Sequence, residues 1–199
     1  MIRGLAYGFP SPGAQESWNP RAFSCGNKKK PDPGLNEYGK KNPGYPAGEL
    51  YTGDYHLSLR SAADALTDPS LIRICSALHG LVDLERSLRS YNVRLGDPNA
   101  ITQEKVAGHA ASLGVHDADV IFLGGQGYAD LLRPAVPHLY TPLVGGMGDH
   151  RGQCRQAREN PALRDAWWNA AADRHAAVNE KTQPDGAPPG LRGHASDEA

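Results

Sequence analysis

The stretch Asp119-Val120-Ile121-Phe122-Leu123 leaves few folds open to this chain. Its four consecutive apolar residues do not alternate with polar ones, which is the pattern of a strand covered on both faces. Gly124-Gly125 follows at once and predicts a tight turn out of that strand. We therefore expect residues 119–123 to form a central strand of a parallel sheet that lies between layers of helices.

The rest of the chain alternates between strand patterns and helix patterns. The predicted strands are 21–25, 71–75, 119–123 and 138–144, and the predicted helices are 55–66, 102–113, 128–136 and 150–175, the last with a break at Asn160-Pro161. This order predicts an α/β fold, in which a single domain has a mostly parallel sheet with helices on both faces. The segment 31–48, rich in proline and glycine, predicts a long loop.

The length of 199 residues suits one domain with short extensions. Residues 1–20 are rich in Gly, Pro and Ser, and we expect them to form a loose N-terminal arm. Residues 21–176 are expected to form the α/β domain. Residues 177–199, rich in Pro, Gly and charge, are expected to form a disordered tail.

Composition excludes several classes of protein. The net charge of −1 gives no overall attraction to nucleic acid or to a membrane surface. No run approaches the roughly 18 apolar residues that span a bilayer, and residues 1–10 lack the apolar core of a signal peptide. The three cysteines include no CxxC pair, which argues against a disulfide scaffold and a structural zinc site. We therefore expect a cytoplasmic protein with no membrane contact, no metal and no cofactor.

Residues with useful chemistry cluster just after the predicted strands. In open α/β sheets, ligands bind beyond the carboxyl ends of the strands. The four strand ends carry, in order, Cys25 with Lys28 and Lys29; Ser76 with His79; Gly124 and Gly125 with Tyr128; and Gly145, Gly146, Gly148 and Asp149. Since parallel strands end at one edge of their sheet, this convergence predicts a single ligand site at that edge.

Each of these residues also has a structural interpretation. His79 serves as an acid or base near neutral pH, or it caps the end of a strand. Cys25 is more often a small buried hydrophobe than a nucleophile. The stretch 21–41 holds six basic residues against two acidic ones, so its lysines bind phosphate or form a solvated surface run. The absence of a Gly-x-Ser-x-Gly motif disfavours a Ser-His-Asp hydrolase.

A series of short motifs resembles an uncharacterised bacterial and phage domain family. The motifs are Ser24-Cys25 with Lys28 or Lys29, Glu49-Leu50-Tyr51-Thr52-Gly53, Ser76-Ala77-Leu78-His79-Gly80-Leu81, Tyr91, Leu123-Gly124-Gly125 with Tyr128, and Pro142-Leu143 with Gly148. The resemblance covers about Phe23 to Gly148. Leu78 stands where a lysine often precedes the histidine, and Ser90 where a proline normally precedes the tyrosine, which leaves a different ligand open.

That family is distantly similar to YaaA-type peroxide-stress proteins and to the archaeosine synthase core. These relatives share a start that reads Cys-Ser with a lysine shortly after it. They also share a strand end that reads Ser-Ala with a glycine shortly after it. The resemblance implies work on nucleic acid or modified bases. It also implies an arrangement similar to the uracil-DNA-glycosylase-like α/β fold, and it marks Thr52 and Tyr91 as ligand-binding positions.

The leading hypothesis is an enzyme that acts on a nucleobase, nucleoside or nucleotide, with an N-glycosidic bond as the bond that is cleaved or exchanged. Such a hydrolase or transferase needs a surface for a flat base, a proton donor, and a polar group for water or sugar. The expected roles are stacking by Tyr51 or Tyr128, protonation by His79, and orientation of sugar or water by Ser76 with Glu49 or Asp83.

Two other functions stay open. One is a non-catalytic nucleic-acid or nucleotide-binding module, with phosphate contacts from Lys28, Lys29, Lys40 and Lys41. The other is a tailoring enzyme, a dehydratase or transferase, that acts on a nucleoside-like small molecule.

Overall fold

The computed structural model describes residues 20–26, 29–34, 37 and 43–182. The predicted N-terminal arm therefore lies outside the described residues, except for Pro20. Lys28, Lys40 and Lys41 lie outside them as well, and so do residues 183–199 of the predicted tail.

Within the part of the chain that the structure describes, the main sheet has four strands, and the first of them in sequence lies inside it. The strands are β1 (Pro20–Cys25), β3 (Ile72–Ser76), β4 (Gly80–Asp83) and β6 (Asp119–Leu123), in the spatial order β4-β3-β1-β6. β1 pairs in parallel with both β3 and β6, whereas β4 pairs antiparallel with β3. Two short strands, β2 (Tyr45–Pro46) and β5 (Ser87–Leu88), form a separate antiparallel pair.

Helices follow the strands along the chain. They are α1 (Ala47–Leu50), α2 (Asp54–Leu66), α3 (Gln103–Ser112), α4 (Gln126–Leu132), α5 (Met147–Glu159) and α6 (Pro161–Thr182), with 3-10 turns at Pro69–Leu71 and Val115–Asp117. The division between α5 and α6 falls at the predicted break, because Pro161 has no N–H to continue the hydrogen bonds of α5.

Both faces of the sheet are covered. Every residue of β6 is buried, and β1 is buried apart from a half-buried Arg21. Successive side chains of a strand point to opposite faces, so burial of all of them requires packing on each side. Helices α2, α6 and α3 pack against β1, β6 and β4 respectively. The predicted fold class, a single α/β domain with a mostly parallel sheet, is confirmed.

The lateral order of the sheet differs from the prediction. The strand 119–123 is one of the two outer strands of the four, and β1 is the one with a parallel partner on each edge. The predicted strand 138–144 is reduced to one bridge between Tyr140 and Ile121. Prolines at 137 and 142 flank that bridge and have no N–H to extend a ladder, so this segment covers the edge of β6 for only one residue.

The boundary predicted between domain and tail also moves. The last helix continues to Thr182 instead of ending before residue 177. Residues 176–181 read Ala-Ala-Val-Asn-Glu-Lys and contain no helix breaker, and the next proline is Pro184. Among residues 20–26, 29–34, 37 and 43–182, none of the helices has the length and hydrophobicity that crossing a lipid bilayer demands.

The buried strand β6 gives a direct test of the packing. Ile121 is fully buried and pairs with Ala22 of β1. We expect Ile121→Asp to abolish soluble expression, because an unpaired charge buried there costs several kcal/mol. The matched variant Ile121→Val should stay soluble and lose about 1 kcal/mol of unfolding free energy in urea titrations. Soluble Ile121→Asp protein with an unchanged unfolding midpoint would contradict the packing.

Candidate functional site

The carboxyl ends of the three parallel strands meet at one edge of the sheet. Cys25 is in register with Cys75, and Ser24 is in register with Leu123. The residues that follow, Gly26, Ser76 and Gly124, therefore lie side by side at that edge. Two groups of side chains are built there: a hydroxyl cluster beyond β3 and a pair of cavities beyond β1 and β6.

The hydroxyl cluster consists of Ser76, Tyr91 and Tyr51. The Tyr91 hydroxyl lies 2.7 Å from Ser76 Oγ and 2.6 Å from the Tyr51 hydroxyl. Ser76 Oγ also accepts the backbone N–H groups of Leu78 and His79. A hydroxyl has two lone pairs and one hydrogen, so Ser76 donates its hydrogen to Tyr91. Ser76 and Tyr51 are both about 1% exposed, whereas Tyr91 is partly buried at the border of the cluster.

Lys29 and His79 border this cluster. The Lys29 ammonium lies 4.1 Å from the centroid of the Tyr91 ring and 5.6 Å from that of Tyr51, within the range of a cation–π contact. Burial lowers the pKa of Lys29. The His79 ring meets Tyr91 edge-on at a centroid distance of 5.1 Å. Burial, with the nearby Arg86, lowers the pKa of His79, which favours the neutral imidazole near pH 7 and weakens it as a proton donor.

Gly26 joins the hydroxyl cluster to the cavities. A Cβ at this position would lie 2.7 Å from His56 Nδ1 and 2.9 Å from the Tyr51 ring, so no side chain fits. His56 Nδ1 donates to the carbonyl oxygen of Cys25 at 2.9 Å, and burial lowers the pKa of this imidazole. The close approach fixes the turn after β1 against α2.

The larger cavity, which we call the tyrosine cavity, has a volume of about 340 Å³. Rings from Tyr55, Tyr128 and His150 line it, together with Cys25 and Met147. Gln126 and four glycines form the remaining wall: Gly26 after β1, Gly125 before α4, and Gly145 with Gly146 before α5. Because glycine has no side chain, these turns let a ligand approach the backbone closely.

The smaller cavity, which we call the threonine cavity, has a volume of about 280 Å³. Thr141, Gln126 and Gly124 line it, and so do the apolar residues Ala129, Leu143 and Val144. His150 and Gly145 belong to both cavities, as does Gln126. The two spaces are therefore neighbours with a common wall.

Tyr55 and His150 form the polar pair of that wall. The Tyr55 hydroxyl lies 2.7 Å from His150 Nδ1, and α2 packs against α5 to bring them together. Burial raises the pKa of Tyr55, so its hydroxyl stays protonated. In the His150 tautomer that carries its hydrogen on Nε2, this hydroxyl donates to Nδ1. Among the residues that the structure describes, His150 Nε2 has no hydrogen-bond partner, which leaves it for a ligand.

Electrostatics make Cys25 a poor nucleophile. Burial raises the pKa of its thiol to about 11, and a hydrogen bond from the Gly125 backbone only partly opposes this. The thiol is thus protonated near neutral pH, as expected of a small buried hydrophobe. Tyr128 is also a neutral group, because burial raises its pKa, with further increases from Cys25, Cys75 and Tyr91.

The predicted site residues fall into three sets. Lys29, Tyr51, Ser76, His79 and Tyr91 meet at the hydroxyl cluster. Cys25, Gly124, Gly125, Tyr128 and Gly146 line one or other of the cavities. The remainder is Glu49, Thr52, Asp83 and Gly148, which line neither cavity, and Lys28, which is outside the described residues.

The two predicted carboxylates are placed elsewhere. Asp83 lies opposite Arg73 in the β3–β4 ladder, toward the other end of the strand from Ser76, and forms an ion pair with Arg73 at 2.8 Å. It does so because β4 is antiparallel and leads away from the carboxyl edge. Glu49 forms a largely exposed ion pair with Lys30 at 3.2 Å. Neither carboxylate is positioned to orient a sugar or water beside Ser76.

Sequence reasoning missed Tyr55 and His150. Each lies in the first turn of a helix that begins after a glycine, Gly53 for α2 and Gly146 for α5. The sequence did carry a signal, namely an aromatic or imidazole residue in the first helical turn after a glycine. The contact between Tyr55 and His150 depends on how α2 packs against α5, and the sequence pattern does not predict that packing.

Comparison with protein families gives one match. Residues 37–152 match the model of DUF6884, described as a family of unknown function. The chain belongs to the DUF6884 family. The expectation of an uncharacterised domain family is confirmed at this level, and the DUF6884 segment includes Tyr51, Tyr55, Ser76, Tyr128 and His150. The searches of curated proteins and of solved structures gave no match.

The hydroxyl cluster of this DUF6884 protein is expected to stabilise the fold. Tyr91→Phe keeps the ring beside Lys29 and His79 but removes the oxygen that Ser76 and Tyr51 share. The two buried hydroxyls then lose their partner, and the unfolding free energy should fall by about 1–3 kcal/mol in chemical denaturation. Tyr45→Phe, a partly buried tyrosine beside Lys30, is the control and should change it by less than about 0.5 kcal/mol. Equal effects of the two variants would contradict the assignment.

The close approach at Gly26 gives a second test. Gly26→Ala should lower the melting temperature by several degrees, because the methyl group meets the buried rings of His56 and Tyr51. Gly152→Ala is the matched control, since a Cβ there meets open space on α5 and alanine favours a helix by about 1 kcal/mol. A thermal melt should therefore show opposite signs for the two variants, and a stable Gly26→Ala protein would refute the packing.

Proposed function

We propose that this protein is an enzyme that acts on a nucleobase-bearing small molecule and cleaves or exchanges its N-glycosidic bond. The observation that carries the proposal is the tyrosine cavity, where two phenol rings and an imidazole surround a space at the carboxyl edge of a parallel sheet. In open α/β sheets this edge is where ligands bind.

The size and lining of the tyrosine cavity favour a flat, uncharged ligand. Its volume of about 340 Å³ is at the lower end of small-molecule sites, which suits a base rather than a polymer. Tyr55 and Tyr128 offer aromatic surfaces on which a base stacks. The glycine turns at 125 and 145–146 leave room for the edge of a base to approach the backbone.

His150 is the hydrogen-bond donor proposed to stabilise the leaving base. When an N-glycosidic bond breaks, its electron pair leaves with the base, and a hydrogen-bond donor at the base lowers the barrier. Water or another acceptor adds to the anomeric carbon and loses its proton, and the base gains one, so the atoms balance. With Tyr55 donating to Nδ1, the Nε2–H of His150 is the donor that faces the leaving base.

One further observation supports a small ligand over nucleic acid. Lys30 pairs with Glu49, and Lys29 lies over the rings of Tyr91 and Tyr51, so both described lysines of the basic run have partners within the protein. The motif resemblance to YaaA-type proteins and the archaeosine synthase core supports a base as the chemistry of interest.

The proposal is tested by incubating the purified chain with the common ribonucleosides and deoxyribonucleosides and measuring free base by chromatography. We expect base release from at least one of them. His150→Asn should reduce that rate about a hundredfold, since removing one hydrogen-bond donor to the charge that develops in the transition state typically costs about 10²–10³ in rate. The asparagine amide can keep a hydrogen bond to Tyr55, so the melting temperature should change little.

His116→Asn is the matched control, because His116 is exposed on the 3-10 turn before β6. It should leave the rate unchanged. No base release from any nucleoside, or full activity in the His150→Asn variant, would refute the proposed reaction.

A further inference from the structure

The two cavities are close enough to hold two parts of one molecule. They have Gln126, Gly145 and His150 in common, so a ligand that fills the tyrosine cavity reaches the threonine cavity past His150. His150 is about 7% exposed and holds its position through Tyr55. A bond between the two parts of such a ligand would lie beside this imidazole.

The lining of the threonine cavity suits a neutral polyhydroxyl group. Thr141 provides a hydroxyl, and Gln126 provides an amide whose nitrogen already donates to Asp130 at 2.6 Å, which leaves its oxygen as an acceptor. Leu143 and Ala129 form a buried apolar floor. A sugar presents hydroxyl groups, which match the polar side chains of this cavity, and a C–H surface, which matches its apolar floor.

The same lining is unsuited to a phosphate. Of the described residues that line the two cavities, none is a lysine or an arginine. The N-terminus of α5, which would otherwise attract an anion, is already capped: Asp149 accepts the Gly146 N–H at 2.8 Å and brings a negative charge to that turn. A phosphate entering here would meet the Asp149 carboxylate and no lysine or arginine side chain.

We propose that the threonine cavity is the sugar subsite of the substrate whose base occupies the tyrosine cavity, and that the substrate class is a nucleoside rather than a nucleotide. This inference rests on the proposed function and adds to it a binding site for the sugar of the ligand. It also assigns Thr141 and Gln126, which the sequence did not single out, as contacts to the sugar.

Calorimetry with three kinds of probe tests the subsite. The probes are the free bases, their carbocyclic nucleosides, which cannot be cleaved, and the 5′-monophosphates of those nucleosides. We expect the best carbocyclic nucleoside to bind at least about tenfold more tightly than its free base, and the monophosphate to bind no more tightly than the nucleoside. A nucleoside that gains nothing over its base, or a monophosphate that binds about tenfold more tightly, overturns the inference.

The variant Thr141→Val isolates the contact, since valine keeps the shape and removes the hydroxyl. It should weaken the carbocyclic nucleoside by about fivefold to tenfold and leave the free base within about twofold. Thr67→Val, at the end of α2, is the control and should change neither. Equal weakening of base and nucleoside by Thr141→Val would mean that Thr141 shapes the cavity and does not contact the sugar.

The results separate the two proposals. If free bases bind and nucleosides bind no better, the sugar subsite fails while the base site stands. If neither bases nor nucleosides bind, the proposed function fails, and the inference fails with it.

Discussion

The parallel hydrogen bonding of β1 on both of its edges is the constraint on which the site depends. β3 and β6 each align with β1 so that their carboxyl ends stop together. Gly26 then turns against His56 and Tyr51, and Gly124 turns over the Cys25 thiol. If β1 slipped by one residue, Ala22 and Phe23 would exchange faces and the glycine turns would no longer meet. The position of the glycine walls of the cavities follows from this register.

The hydroxyl cluster and the cavities make different use of buried polar groups. In the cluster, Ser76 and Tyr91 satisfy one another and the backbone, with little contact with solvent. Beside it, His150 has only one ring nitrogen bonded within the described protein. A fully paired network contributes rigidity. A polar group at a cavity wall without a hydrogen-bond partner in the described protein is where a ligand gains a hydrogen bond. We therefore propose that the hydroxyl cluster stabilises the fold and that the tyrosine cavity binds the ligand.

Much of the fold could be predicted from periodicity and from glycine and proline positions. The run 119–123, the break at Pro161 and the convergence of strand ends are local patterns, and each has a direct physical cause. The order of strands in the sheet could not be predicted in this way, because burial on both faces does not distinguish an inner strand from an outer one. Asp83 illustrates the limit: its sequence position after Ser76 suggested proximity, but the antiparallel β4 carries it away.

Local patterns predicted some residues of the candidate site, but not those that long-range packing brings together. Tyr51, Ser76 and Tyr91 follow strand ends or family motifs, so sequence could select them. Tyr55 and His150 meet only because two helices distant in the chain pack together, and no spacing rule connects them. Glu49 carried the right chemistry, but Lys30 holds it at the surface.

The placement of β1 has a consequence for how the chain reaches this structure. β1 comes first among the described strands, yet its partners come from the middle of the chain and from beyond it. Of these described strands, only β3 and β4 form a local hairpin that is able to pair early. Closing the long loops between β1 and its partners is the entropically slow part of folding. The DUF6884 segment begins after β1, so a fragment cut to residues 37–152 would present two sheet edges with the strand between them missing.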